Sequence, residues 1–246
     1  MIGLIAAGFL IGTFVAILGG GGGVFYVPVL TIFFHVPTNI AVGTSLATVI
    51  PTTLAALLGH ARHESVDFKA GFQLALGGAL GAYSSAFIVR LLSAKPLALA
   101  FGIFMFILAF LTVRPKKTHV VEKPKRVFLL LAGIASGAMA GIFGASGSPP
   151  VIAVLSVMGF SPQKIVGTSI LVLCVNAIFG ALGHWRAGHV DIHLFWPLAL
   201  GALCGAFSGA LLLHRLPTRW IELYSKPVFL TIMIAAGIGM LAEGLS

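Results

Sequence analysis

The chain is expected to be an all-α, polytopic membrane protein built from two homologous repeats, each a glycine-broken helical hairpin followed by three transmembrane helices. Three observations predict this. Of its 246 residues 59% are hydrophobic and only 9% charged, and the mean hydropathy of +1.09 lies far outside the range of soluble domains. Apolar stretches that approach or exceed the ~20 residues of helix needed to cross a bilayer recur along the chain. Two glycine-rich runs, Gly19-Gly20-Gly21-Gly22-Gly23 and Gly144-Ala145-Ser146-Gly147-Ser148, interrupt that oily sequence at corresponding places.

Each half divides in the same way. An apolar stretch (2–18, 127–143) meets the glycine run, a short apolar piece follows (24–35, 148–159), and three longer segments complete the unit (38–60, 68–92, 96–113 and 163–185, 192–214, 224–242). The first stretch has no basic n-region and runs into glycines rather than a cleavage site, so it does not read as a signal peptide. The longer segments can span a bilayer, whereas the short pieces cannot. Repeat one is assigned residues 1–113 and repeat two residues 127–246, joined by a basic linker, 114–126, that carries six Lys or Arg residues and two prolines.

Duplication is read from a gapless shift of 124 residues. Val42-Gly43-Thr44-Ser45 falls on Val166-Gly167-Thr168-Ser169, Leu58-Gly59-His60 on Leu182-Gly183-His184, Arg62 on Arg186, and Val66-Asp67 on Val190-Asp191. Short cytoplasmic loops are enriched in Lys and Arg. Inverted repeats put twelve of these residues on the linker side and three opposite, while parallel repeats give nine against six. Inverted repeats, with a cytoplasmic linker and both termini outside, are therefore favoured. The same loop placement explains the net charge of +9 without nucleic acid.

Consecutive glycines break a helix, each losing ~1 kcal/mol against alanine. Broken backbone at membrane depth is tolerated only where protein or a water-filled cavity surrounds it. A half-helix starting after each break, near Val24 and Pro149, would aim its positive end into that cavity, a place where anions bind. Discontinuous helices at matching positions of two inverted repeats are the arrangement secondary transporters use. Thr44, Ser45, Thr168 and Ser169 could add hydroxyl donors there, or bond back to their own helices. Asn176, a buried amide, must face either the cavity or another helix. His60 and His184, followed by Arg62 and Arg186, either cap helix ends at the interface or form a cationic vestibule or proton-responsive gate. No carboxylate lies deep in an apolar run, which speaks against a carboxylate proton relay. Cys174 and Cys204 lack metal-ligand spacing, and neither a cofactor nor a metal is expected.

Gly19 to Leu30, spelling Gly-Gly-Gly-Gly-Gly-x-x-x-Val-Pro-x-Leu, followed by Val-Gly-Thr-Ser and Gly-His…Val-Asp in both halves, resembles the TauE/SafE family of sulfite and organosulfonate transporters. The resemblance implies a multi-pass protein of the inner (plasma) membrane of a prokaryote that moves small sulfur-containing anions such as sulfite, sulfoacetate or related sulfonates, usually outward. Carried over by motif, the substrate-binding residues are Gly20, Gly21, Gly22, Gly23, Thr44, Ser45, Gly144, Ala145, Ser146, Gly147, Ser148, Thr168 and Ser169. The second run departs from pure glycine with Ala145, Ser146 and Ser148 and has Pro149-Pro150 in place of Phe25-Tyr26, which puts equal contact by the two halves in question. The expected partners are a small anionic substrate and membrane lipid, with a homodimer as a candidate assembly and no nucleic acid.

Two rival functions share these features. A passive anion channel would use the same glycine-lined site but needs a continuous pore. Gly144-Ala145-Ser146-Gly147 also spells the G-x-S-G of rhomboid intramembrane serine proteases, with His184 on a later segment. The glycine at Ser146's counterpart in repeat one and the duplicated architecture weigh against an enzyme, and none is expected.

Overall fold

A computed structural model describes residues 1–18, 23–62, 64–113, 126–144, 147–213 and 218–245, and all regular secondary structure among them is helical. The helices are α1 (Ile2–Leu18), α2 (Gly23–Pro28), α3 (Thr38–Arg62), α4 (Phe68–Leu91), α5 (Ala94–Val113), α6 (Arg126–Phe143), α7 (Ser148–Val157), α8 (Pro162–Arg186), α9 (Ile192–Leu213) and α10 (Thr218–Leu245), and α2 runs on into a π-helical turn, Val29–Phe33. Among the described residues seven helices, α3 to α6 and α8 to α10, are long and apolar enough to cross a membrane. Their large apolar side chains are turned outward in bands, as Ile103, Phe106, Ile107 and Phe110 are on α5, where lipid rather than water can cover them. This is a multi-pass membrane protein. By contrast α7, with ten residues, reaches only about 15 Å, half of the hydrocarbon core.

Capping chemistry sets the helix starts. Asp67 accepts from the Ala70 N–H at 2.9 Å to open α4, and Asp191 accepts from the His193 and Leu194 N–H groups at 2.8 and 3.3 Å to open α9. Ser161 and Pro162 open α8 in the same manner.

Helices here associate through small residues, because lipid tails offer no hydrophobic contrast between them. Gly8 and Gly12 of α1 lie on the backbone of Leu198 and Ala202 of α9, while Gly201 and Gly205 of α9 lie on Ile5 and Phe9 of α1. α6 and α4 repeat the pattern: Gly133 and Gly137 sit on Leu74 and Gly78, and Gly77 and Gly81 on Leu130 and Ile134. Each pair runs parallel, and each joins the first helix of one half to the fourth segment of the other. A Cβ on Gly137 would strike the Gly78 carbonyl oxygen. Gly137→Val is therefore expected to cost at least the roughly 1–3 kcal/mol of overpacking, read as a lowered thermal midpoint of the detergent-solubilised protein.

These contacts refine the sequence alignment. α4 and α9 correspond at a shift of 124, but α1 and α6 correspond at 125. The match is thus not gapless over the whole chain; one residue has been gained or lost between the first helix and the Val-Gly-Thr-Ser string.

α3 and α8 pack against each other in opposite directions. Gly43 faces His184 and His189, Gly180 faces Leu46, and Gly167 faces Ser65. α5 and α10 are likewise antiparallel, with Gly102 against Leu241, Gly237 against Met105 and Gly244 against Leu99. Aromatic rings pin α2 and the end of α6: Phe25 of α2 meets Phe14 and Phe229 edge-on at 5.4 and 5.6 Å, and Phe143, ending α6, stacks on Phe104 at 4.2 Å.

Candidate functional site

The second glycine run is described at its two ends. Gly144 and Gly147 both have φ near +59°, a conformation that side chains disfavour. Gly147 lies on Ser136, about two turns upstream of the end of α6. α7 then packs Val151, Val154 and Leu155 into one cluster with Leu129, near the start of α6. Gly147 is the N-cap of α7, and Pro149 and Pro150 remove two of the N–H groups that such an end would otherwise offer.

Around this turn stands a set of buried polar side chains. The Ser45 hydroxyl donates to the Gly144 carbonyl at 3.2 Å, joining α3 to the break. A Cβ on Gly144 would meet Val27 and Val42, so the short helix of the first half also abuts it. The Asn176 amide donates to the Ser136 hydroxyl at 2.9 Å, and its oxygen, without a partner among the described residues, lies tight against Gly78. The Ser169 hydroxyl is buried and also lacks a partner among the described residues. Ser136, Ser45 and Asn176 are fully buried. An unpaired hydroxyl such as that of Ser169 is costly at this depth unless a ligand meets it.

Thr44 and Thr168 do something the sequence did not announce. The Thr168 hydroxyl accepts from the Asp67 N–H at 2.9 Å, and the Thr44 hydroxyl accepts from the Asp191 N–H at 3.1 Å. Each threonine, inside a helix of one half, holds the loop that caps a helix of the other half. Gly43 and Gly167 allow this by lying on the His189 and Ser65 carbonyls.

His184 is fully buried rather than interfacial. Its Nε2 lies 2.8 Å from the Gly141 carbonyl and its Nδ1 3.3 Å from Nδ1 of His189. His60 is only half-buried, with Nδ1 3.0 Å from the Ser65 hydroxyl. Arg62 and Arg186 are on the surface, and Arg186 donates to the Tyr83 hydroxyl at 2.8 Å. Burial, and after it the charge of Arg90, hold the His189 imidazole below the usual histidine value. A histidine kept neutral by the fold stabilises it fully above the unfolded value of about 6.5, and that contribution is lost as pH falls towards the lower folded value. The thermal midpoint is expected to drop between pH 7 and pH 5, and His189→Ser should flatten part of that slope.

Of the remaining expected site residues, Gly20, Gly21, Gly22, Ala145 and Ser146 lie outside the described residues, and Gly23 begins α2. Ser136 and His189 were not anticipated. Ser136 is the one hydroxyl in the 127–143 stretch, which is a usable signal; His189 has serine as its counterpart and so left none. A groove of about 450 Å³ between α3, α8 and the start of α9 is lined by Ile50, Leu54, Ile178, Leu182, Trp185 and Phe195 among others. With an apolar lining it suits a lipid chain better than an anion.

Membrane-length helices packed around buried hydroxyl and amide groups mark a polytopic membrane protein, and comparison with known proteins supplies the transporter class. The family model described as Sulfite exporter TauE/SafE matches residues 4–240, and the chain belongs to this family. It is 31% identical to the probable membrane transporter protein YdhB of Bacillus subtilis, over 92% of this chain and 95% of that protein. It is 26% identical to YunE of the same organism, covering 98% and 97%, and 25% identical to MJ0441 of Methanocaldococcus jannaschii, covering 97% and 92%; both are also described as probable membrane transporter proteins. No solved structure matches.

Proposed function

We propose that the protein is a secondary transporter of the prokaryotic inner membrane that exports small sulfur-containing anions, sulfite or organosulfonates such as sulfoacetate. The anion sits between the two glycine breaks, among Ser45, Ser169, Asn176, the Gly144–Ser148 turn and its glycine counterpart. The halves are inverted repeats, each opening with a re-entrant hairpin. Support for inversion comes from α3 against α8 and α5 against α10, equivalent helices that run antiparallel. Support for the hairpin comes from Gly147 folding back onto Ser136. The family description supports the substrate class.

The observation that carries the mechanism is the reciprocal pair of clasps, Thr44 with Asp191 and Thr168 with Asp67. In inverted repeats they stand on opposite sides of the membrane. Each binds one half to the other by a single hydrogen bond worth about 1 kcal/mol net, weak enough to break in turn. Opening one while the other holds exposes the central site to one side at a time, which is alternating access.

The test is a proteoliposome panel of sulfite, sulfoacetate, taurine, sulfate and chloride. Saturable flux of sulfite or a sulfonate with counterflow is expected. Unsaturable chloride flux alone would replace the transporter with a channel, and no flux of any of the five would overturn the substrate class.

A further inference from the structure

The anion site proposed above lacks a fixed countercharge. Every Lys and Arg whose side chain is described is exposed, and the buried polar residues are hydroxyls, an amide and two histidines. An anion held there by neutral donors alone would forfeit most of its hydration. Among the described residues, His184 and His189 are the buried groups that can become cationic.

Their geometry is specific. His184 Nε2 must carry a proton to donate to the Gly141 carbonyl, so in the neutral ring Nδ1 is bare. Only one proton fits between two Nδ1 atoms 3.3 Å apart, and it therefore belongs to His189, whose Nε2 is left bare. A further proton taken up at His189 Nε2 lets His189 pass its Nδ1 proton to His184 Nδ1. The positive charge then rests on the buried ring. The Cβ that carries that ring lies beside Gly43, next to Thr44 and Ser45, and the ring is bonded to Gly141, within one turn of Gly144.

Among the described residues the corresponding place in the first half is built differently. There Ser65 donates its hydroxyl proton to the His60 carbonyl at 2.8 Å, so His60 Nδ1 donates to Ser65, which stands where His189 does and offers no second ring to share a proton. The other charged or titratable groups around the pair are few. α4 brings Arg90 and Tyr83, α8 brings Arg186, which is tied to Tyr83, and α9 brings Asp191 and His193; α3 brings none near Gly43, and Arg126 lies at the far end of α6.

We propose that the His184–His189 pair binds one exchangeable proton that serves as the countercharge of the transported anion, so that a monoanion and a proton bind together and cross together without net charge movement. This inference rests on the transporter reading. Binding linkage makes it reciprocal: the anion raises the proton affinity of the pair as much as the proton raises that of the anion.

Methanesulfonate, a monoanion across the whole range, and sulfite are the probes. Binding of methanesulfonate to the detergent-solubilised protein should tighten about tenfold between pH 7.5 and pH 5.5, within the usual range of coupling energies. In proteoliposomes loaded with a pH dye, flux of methanesulfonate should move one proton per anion and ignore membrane potential. His189→Ser, which copies the first half, and His184→Gln, which keeps a donor for Gly141, should make binding indifferent to pH. His193→Gln, an exposed histidine of α9, should behave as wild type. Anion flux without protons, or proton coupling that survives both substitutions, would overturn the proposal while leaving the transporter intact. Absence of any anion binding or flux would sink the sulfur-anion reading instead, and nitrogen-15 histidine spectra would then decide for the pair. One shared titration, shifted by sulfite, supports it; two independent titrations of ordinary histidines reject it.

Discussion

Gly147→Val is expected to abolish anion flux. At φ +59° a non-glycine residue loses about 1–2 kcal/mol and a β-branched one more. The new side chain would also strike the Ser136 carbonyl. That collision pushes α7 off α6 and parts Ser136 from Asn176, dismantling the buried cluster. Gly188 provides the control, since it has the same kind of backbone, φ +75°, with nothing within 4 Å of an added Cβ. Gly188→Ala should lose a similar backbone term and keep transport. Flux measured beside size-exclusion profiles of both variants separates the two effects. Full flux in a folded Gly147→Val protein would remove the second glycine turn from the site.

Locking either clasp is expected to stop transport almost completely. Cysteines placed at Thr44 and Asp191, or at Thr168 and Asp67, substitute positions whose atoms already lie 3.1 and 2.9 Å apart, within the reach of a disulfide after small adjustment. The background needs Cys174 and Cys204 replaced, because both are free thiols. Oxidation of one pair should trap the site facing one side, and reduction should restore flux. Undiminished flux with both pairs cross-linked would mean that the clasps stay shut throughout the cycle.

The helix inventory was legible from hydropathy because lipid demands long apolar segments, and the boundaries of α1, α3, α4, α6 and α8 fall within two residues of the apolar stretches. Gly144 and Gly147 stood out in the sequence, but the approach of Gly147 to Ser136 depends on packing that no local signal encodes. Thr44 and Thr168 stood out as a repeated string, yet their partners are N–H groups about a hundred or more residues away, set by the antiparallel crossing of α3 and α8. His184 looked like a helix-end residue by position. What buries it is Gly43 on one side and Gly141 on another, both contributed by distant helices.

The partnership of α1 with α9 also has a cost in time. The groove that receives Gly8 and Gly12 is made by Leu198 and Ala202, about 190 residues later. At ~5–20 residues per second of synthesis, α1 waits roughly 10–40 seconds in the membrane before its partner exists. Its glycine face stays open to lipid or to a helper protein throughout that interval. The first half, released alone, would keep that face unfilled, so the chain must be finished before it can be assembled.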